Sequence, residues 1–190
     1  GAELRPLVVD DQGLVTDQID PECQLLHTTP SRQQPTAVTL PFARRKTLLS
    51  AAEQHDALII EDDTECELTY FGTPLPALRA MDPSGRVIYC ASLSKVLAPG
   101  VGLGYMVGPP EIIAAARRLR SLTTGRPSPN NQRVAAFFLS LGHYDAMLRR
   151  LRSDFAERLI ALRDALNHYR PESIGISPVL GGTTYWVRGG

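Results

Sequence analysis

Two side chains carry most of the chemical potential of this sequence, and Lys95 is the first. It follows Ser92-Leu93-Ser94 and precedes Val96-Leu97-Ala98-Pro99-Gly100, while the tract before it, Val87-Ile88-Tyr89-Cys90-Ala91, has no polar break. Such a run reads as a buried strand that delivers an amine at its end, between two hydroxyls and ahead of a Pro-Gly turn. Desolvation favours a neutral amine, and a neutral amine can attack a carbonyl to form a Schiff base. Lysine is scarce here: Lys46 and Lys95 are the only two, and Lys46 falls in a helical stretch where it is expected to be solvated. Ser-x-Ser-Lys is a common combination, also compatible with a strand-end lysine that does no chemistry.

The second side chain is Asp62. Residues 57–60 are apolar throughout and stop at Glu61-Asp62-Asp63, which reads as a strand of a parallel sheet with acids at its carboxyl end. Ligands of open sheets gather outside the carboxyl ends of strands, so Asp62 and Lys95 are expected to face one crevice. The plain alternative is an ordinary salt bridge between them.

The supporting elements follow from periodicity. Strands are expected over 4–9 and 23–28, the second ending in the polar loop 29–36 with its two prolines. A helix follows to about residue 56, with Thr39 as N-cap, Pro41 in the first turn, and Leu48, Leu49 and Ala52 at helical spacing. Strand, helix and strand form a crossover unit. Residues 102–107 make a further strand, too close to 87–91 for a helical crossover and therefore antiparallel in a mixed sheet. Helices are expected over 110–122, 131–141 and 143–168, the last with Met147, Leu151, Phe155, Leu159, Leu162 and Leu166 on its apolar face and an arginine-rich solvated face. Residues 181–187 begin another strand.

Composition bounds the rest. With 190 residues, 43% hydrophobic, the chain can fill one core or a core and part of another. Twenty basic and twenty acidic residues cancel, so no basic excess argues for nucleic acid. No apolar run approaches the length of a membrane span, and no signal peptide is recognisable. Cys23, Cys66 and Cys90 are widely spaced and odd in number, which argues against disulfides and metal and fits a reducing cytoplasm. His27, His55, His143 and His168 show no ligand spacing and read as structural or solvated.

Taken together, the ordered motifs resemble the pyridoxal-phosphate-binding large domain of fold type I aminotransferases (class I/II), most closely the aminotransferase-like domain of MocR/GabR-type regulators of the GntR superfamily. The family's Thr-Pro-Ser-His-Gln-Phe-Pro-Thr-Gly appears as Thr29-Pro30-Ser31-Arg32-Gln33-Gln34-Pro35-Thr36-Ala37, and its Ile-Glu-Asp-Asp-Tyr as Ile60-Glu61-Asp62-Asp63-Thr64. Pro-Leu-Pro-Ala-Leu stands unchanged at 74–78, followed by Asp82, Gly85 and Arg86-Val87-Ile88-Tyr89, the lysine motif, and Gly104-Tyr105. Gly142-His143-Tyr144, Arg149-Arg150-Leu151-Arg152 and Gly181-Gly182 to Trp186 continue the match.

The resemblance implies an α/β fold: a mixed, mostly parallel sheet with helices on both faces over residues 1–140, part of the cofactor-binding large domain. Residues 141–190 would be an interdomain helix and the beginning of a small α+β domain. Lys95 would form the Schiff base with pyridoxal 5′-phosphate and, in an enzyme, move the proton between substrate and cofactor. Asp62 would pair with the pyridine nitrogen, and Ser92, helped by Ser94, would bind the phosphate. No metal is implied.

Departures from the pattern are equally specific. Gly102 stands where the family has a phosphate-gripping arginine, and Thr64 where it has a tyrosine bonded to the cofactor. Arg32, Gln34 and Ala37 replace His, Phe and Gly. A hydrogen bond to a charged group contributes about 1.5 to 3 kcal/mol, so losing the arginine is expected to weaken cofactor binding about ten- to a hundredfold.

The family's glycine-rich phosphate loop, its ring-stacking aromatic and its substrate-carboxylate arginine have no counterpart here, so the chain is expected to be an internal fragment that does not turn over by itself. Three readings follow. It is the cofactor- or effector-sensing part of a MocR-type regulator; or a fragment of a catalytic aminotransferase; or a degenerate copy without cofactor. The expected partner is a small amino compound or amino acid, as effector or substrate. The full-length protein is expected to be a cytoplasmic homodimer that meets nucleic acid only through a domain absent from this chain.

Overall fold

The computed structural model describes residues 3–171 and 174–187. A four-stranded sheet runs in the order β3 (Leu25–Thr28), β4 (Leu58–Asp62), β5 (Val87–Ser92), β6 (Gly104–Val107), after a two-residue hairpin of β1 (Val9–Asp10) and β2 (Gly13–Leu14). The first three strands of the sheet are parallel and β6 is antiparallel to β5, as the short β5–β6 connection requires. The expected strand over 4–9 is reduced to that hairpin: only Val9 and Asp10 pair, with Leu14 and Gly13, and Val15 N donating to Val8 O adds one bond at its open end. The chain is α/β with a mixed sheet.

Helix α1 (Phe42–Gln54) connects β3 to β4 and buries Arg45, Leu48 and Ala52, positions three and four apart on one face. It ends where Asp56 takes a left-handed conformation, φ 52°, with Ala57 N donating back to Ala52 O at 2.9 Å. Its start differs from expectation. Pro41 is the cap residue, and the Thr39 hydroxyl instead donates to Ser31 O at 3.0 Å and accepts from Arg32 Nη1 at 3.1 Å. Leu48 and Ala52 pack on Leu26, Ile59 and Val87 of the sheet and on Leu40 and Leu78, forming one core.

Charge lies inside this core. Arg45 is inaccessible to solvent and donates to Leu40 O (2.9 Å), Pro30 O (2.9 Å) and Pro76 O (3.0 Å). Glu61, also inaccessible, accepts from the backbone N–H groups of Leu78 (2.7 Å) and Arg79 (2.9 Å), which open the short helix α2 (Leu78–Met81). Three more α-helices follow among the described residues: α3 (Pro110–Thr123), α4 (Pro129–Ser140) and α5 (His143–Tyr169), the last two packed on each other. The arginine-rich side of α5 is not wholly solvated. Arg152 Nε donates to Glu67 O at 2.7 Å, and Phe155 stacks on Tyr70 with centroids 6.3 Å apart, docking α5 on the segment after β4. Beyond α5, residues 181–187 form no strand; the chain makes isolated bridges, Thr69 with Gly181 and Ile176 with Val187. Among the described residues, no helix is long and apolar enough to cross a membrane.

Burial pushes the Glu61 carboxyl above its ordinary value of 4.5, against the opposing pull of the two N–H donors. A carboxyl raised in the folded state holds its proton there longer than in the unfolded chain, so its contribution to stability is full below pH 4.5 and declines as pH rises past that value. The unfolding free energy of the protein relative to Glu61→Gln, followed by urea denaturation against pH, should therefore fall as pH rises from 4.5. A difference that is flat or rises with pH would contradict the burial argument.

Candidate functional site

Alternation along the strands separates neighbouring side chains. On β4, Ile59 and Glu61 face α1 and α2, and Ile60 and Asp62 face the opposite side. The register places Asp62 beside Cys90 and Ile60 beside His27, so His27, Asp62, Cys90 and Ser92 share one face near the carboxyl edge. This face is only partly covered: Leu25 and Met106 on it are 52% and 45% exposed. Asp62 is half-buried, with His27 Nε2 at 4.0 Å and an Asx-type turn in which Thr64 N donates to its Oδ1 at 3.3 Å. Thr64 itself is exposed. His27 is solvated, as expected, yet it is also the imidazole facing Asp62.

Lys95 sits on a tight turn fixed from both sides. Leu93 N donates to Leu103 O at 2.9 Å, Leu97 N to Leu93 O at 2.9 Å, and Val96 and Leu103 are buried beneath. Ser94 N donates to the Ser92 hydroxyl at 3.2 Å, which ties the first turn to the end of β5. Where β6 returns alongside, a Cβ at Gly104 would stand 2.8 Å from Ala91 O, so that approach requires glycine. The Lys95 amine is not desolvated as expected. Its side chain is 48% exposed, and Nζ donates to Glu65 Oε1 at 3.1 Å.

An ion pair does form at the lysine, but its acid is Glu65 rather than Asp62. Sequence reasoning missed Glu65; the available signal was a further acid three residues past Asp62, in a run that turns directly after a strand. It also missed Thr183, whose hydroxyl donates to the same Glu65 Oε1 at 3.0 Å. Asp63, next to Asp62, points inward and is pushed up by burial, with the Ser31 and Tyr89 hydroxyls opposing. Arg32, which replaces a family histidine, lines a small polar cavity with Ser31, Thr39, Arg45, Asp63 and Cys66. Another cleft lies between α1 and residues 16–19, and contains no strand end.

The donor set fits pyridoxal phosphate: a primary amine for its aldehyde, a carboxylate for its ring nitrogen, and hydroxyls for its phosphate, all from the carboxyl edge of β4 and β5. The phosphate side is thinner than the motif leads one to expect. Gly102 adopts a left-handed conformation, φ 57°, with open space where a side chain would begin. Ala37, in place of a family glycine, holds φ 59°, a strain of about 1 to 2 kcal/mol for a residue with a Cβ.

The model of "Aminotransferase class I and II" matches residues 12–188. The chain is 40% identical to the HTH-type transcriptional regulator TauR of Rhodobacter capsulatus, over 99% of this chain and 39% of that protein. It is 39% identical to the probable rhizopine catabolism regulatory protein MocR of Rhizobium meliloti, over 83% of this chain and 32% of that one. Among solved structures, kynurenine aminotransferase of Pyrococcus horikoshii, in complex with PMP, superposes with a TM-score of 0.91 at 31% identity, covering 95% of this chain and 47% of the enzyme. The chain thus spans less than half the length of each of these relatives.

Gly102→Arg has room for its side chain but must hold a left-handed backbone. It should tighten binding of pyridoxal phosphate about tenfold or more through a charged hydrogen bond, while lowering folding stability by about 1 kcal/mol. Fluorescence titration and urea denaturation read the two effects. Unchanged or weaker binding would place residue 102 away from the phosphate.

Proposed function

We propose, from the premise that this chain belongs to the class I and II aminotransferase family, that it is the cofactor-binding, effector-sensing domain of a MocR-type transcriptional regulator. The reading rests on one observation. Asp62 ends β4 and Ser92 ends β5 on one face of the sheet, and Lys95 follows three residues after Ser92, in a chain 40% identical to a helix-turn-helix regulator. Pyridoxal phosphate, when bound, supplies an electrophilic carbon and a ring that withdraws electrons from an attached amino compound.

The chain's own residues would do the rest. Asp62, half-buried at the end of β4, is an acceptor that would keep a ring nitrogen protonated. Ser92 and Ser94 would offer hydroxyls to the phosphate. Lys95 must lose a proton before it can act as a nucleophile, and its half-exposed side chain lets solvent take that proton while Glu65 Oε1, 3.1 Å from Nζ, holds the amine in place. In a regulator, exchange of a small amino compound at this amine is sufficient, and no turnover is required. Residues 1–140 would form part of the large domain, and 141–190 the helix and first residues of a small one. The whole protein would be a cytoplasmic homodimer, with DNA contacted by a domain outside this chain.

Pyridoxal phosphate added to the protein, followed by borohydride, should leave a pyridoxyl group on the peptide containing Lys95, identified by mass spectrometry. Lys95→Ala should abolish that labelling. Labelling at Lys46 instead, or undiminished labelling of Lys95→Ala, would overturn the assignment.

A further inference from the structure

Glu65 links the amine to a segment far away in sequence. One of its oxygens, Oε1, accepts from both Lys95 Nζ (3.1 Å) and the Thr183 hydroxyl (3.0 Å), a residue 118 positions later. Its other oxygen faces Gly182. A Cβ built on Gly182 would stand 3.0 Å from Glu65 Oε2 and 3.2 Å from Arg32 Nε, and one on Gly181 would lie 2.0 Å from Leu68 O. Both glycines are therefore demanded by close approach, and they bring the segment 180–183 directly over the carboxylate and the guanidinium.

Arg32 is the second cation of this corner. It is 6% exposed, against 9% for Glu65. Nη1 donates to Ser31 O and the Thr39 hydroxyl, and Nη2 to Leu68 O and the Thr69 hydroxyl. Its Nε is buried without a hydrogen-bond partner. The same corner pins the segment through the backbone: Gly182 N donates to Leu68 O at 2.7 Å, and Tyr70 N and Phe71 N donate to Leu180 O, both at 3.0 Å. One nearly buried carboxylate thus lies between an ammonium that holds it and a guanidinium with an unused donor.

We propose that Glu65 is a positioning residue that reports the state of Lys95 to residues 180–183: the free ammonium holds Oε1 at Nζ, and withdrawal of that ammonium lets Glu65 turn to Arg32 Nε and tighten Gly182 and Thr183 against it. The covalent part of this cycle rests on the cofactor reading above. There, the ammonium first gives one proton to solvent, Nζ then forms a bond to the carbonyl carbon, and the carbonyl oxygen leaves as water with the nitrogen's other two protons. Nothing is oxidised or reduced. The exchange is favourable because a buried donor without a partner is costly, and satisfying it with a carboxylate recovers that cost.

Amide exchange read by mass spectrometry over residues 176–187 tests the device. Lys95→Met, without any cofactor, should slow exchange at Gly182 and Thr183 by about tenfold, the scale of one charge-assisted hydrogen bond. Saturating pyridoxal phosphate should do the same to the unsubstituted protein. Glu65→Gln, which keeps the shape and removes the charge, should respond neither to the cofactor nor to added Lys95→Met. Unchanged or faster exchange in Lys95→Met overturns the proposal, as does a Glu65→Gln protein that still tightens. If pyridoxal phosphate leaves Lys95 unlabelled, the cofactor reading fails, and the Lys95→Met comparison still decides the role of Glu65.

Discussion

The Arg45 guanidinium is the constraint on which the rest of this structure leans. It has no access to water and satisfies its donors on three carbonyl oxygens, from Pro30, Leu40 and Pro76, in the loops that leave β3 and precede α2. Removing this donor would leave the Leu40 and Pro76 carbonyls unpaired, Pro30 O keeping its bond from Leu40 N, and each unsatisfied buried group costs about 1 to 3 kcal/mol. The loops therefore cannot slide independently of α1. One of these loops leaves the carboxyl end of β3, beside β4, so that edge of the sheet is anchored by a buried charge.

Glu61 performs the same service from the strand side. Its carboxylate terminates two N–H groups of α2 and holds that short helix against β4. Helices this short do not persist on their own backbone bonds, since nucleation is unfavourable. The carboxylate is also what separates the two adjacent acids in role. Alternation turns Glu61 to the core and Asp62 to the open face, so one serves packing and the other remains available to a ligand.

The corner around Lys95 joins three stretches that are remote in the chain: the loop after β3 through Arg32, the turn after β4 through Glu65, and the segment 180–183. Gly181 and Gly182 admit that convergence by lacking side chains where backbone and carboxylate already stand. Gly102 works in the other direction. Its left-handed backbone and surrounding open space show that nothing in the fold compels glycine there by crowding.

Much of this was present in the order of residues alone. The apolar runs ending in acids or in Ser92-Leu93-Ser94-Lys95, and the helical spacing of Leu48 and Ala52, determine the strands, the crossover and the antiparallel β6, because period and connection length are local properties. The motif order from Thr29 to Trp186 likewise carries the family. What the sequence could not decide was which partners those side chains take. Thr39 is spent on Ser31 and Arg32 rather than on capping α1, residues 181–187 bridge rather than form a strand, and the lysine meets Glu65 rather than Asp62. Each outcome turns on distances of a few ångströms between segments that only the packed fold brings together, and hydrogen bonds and ion pairs are decided at that range.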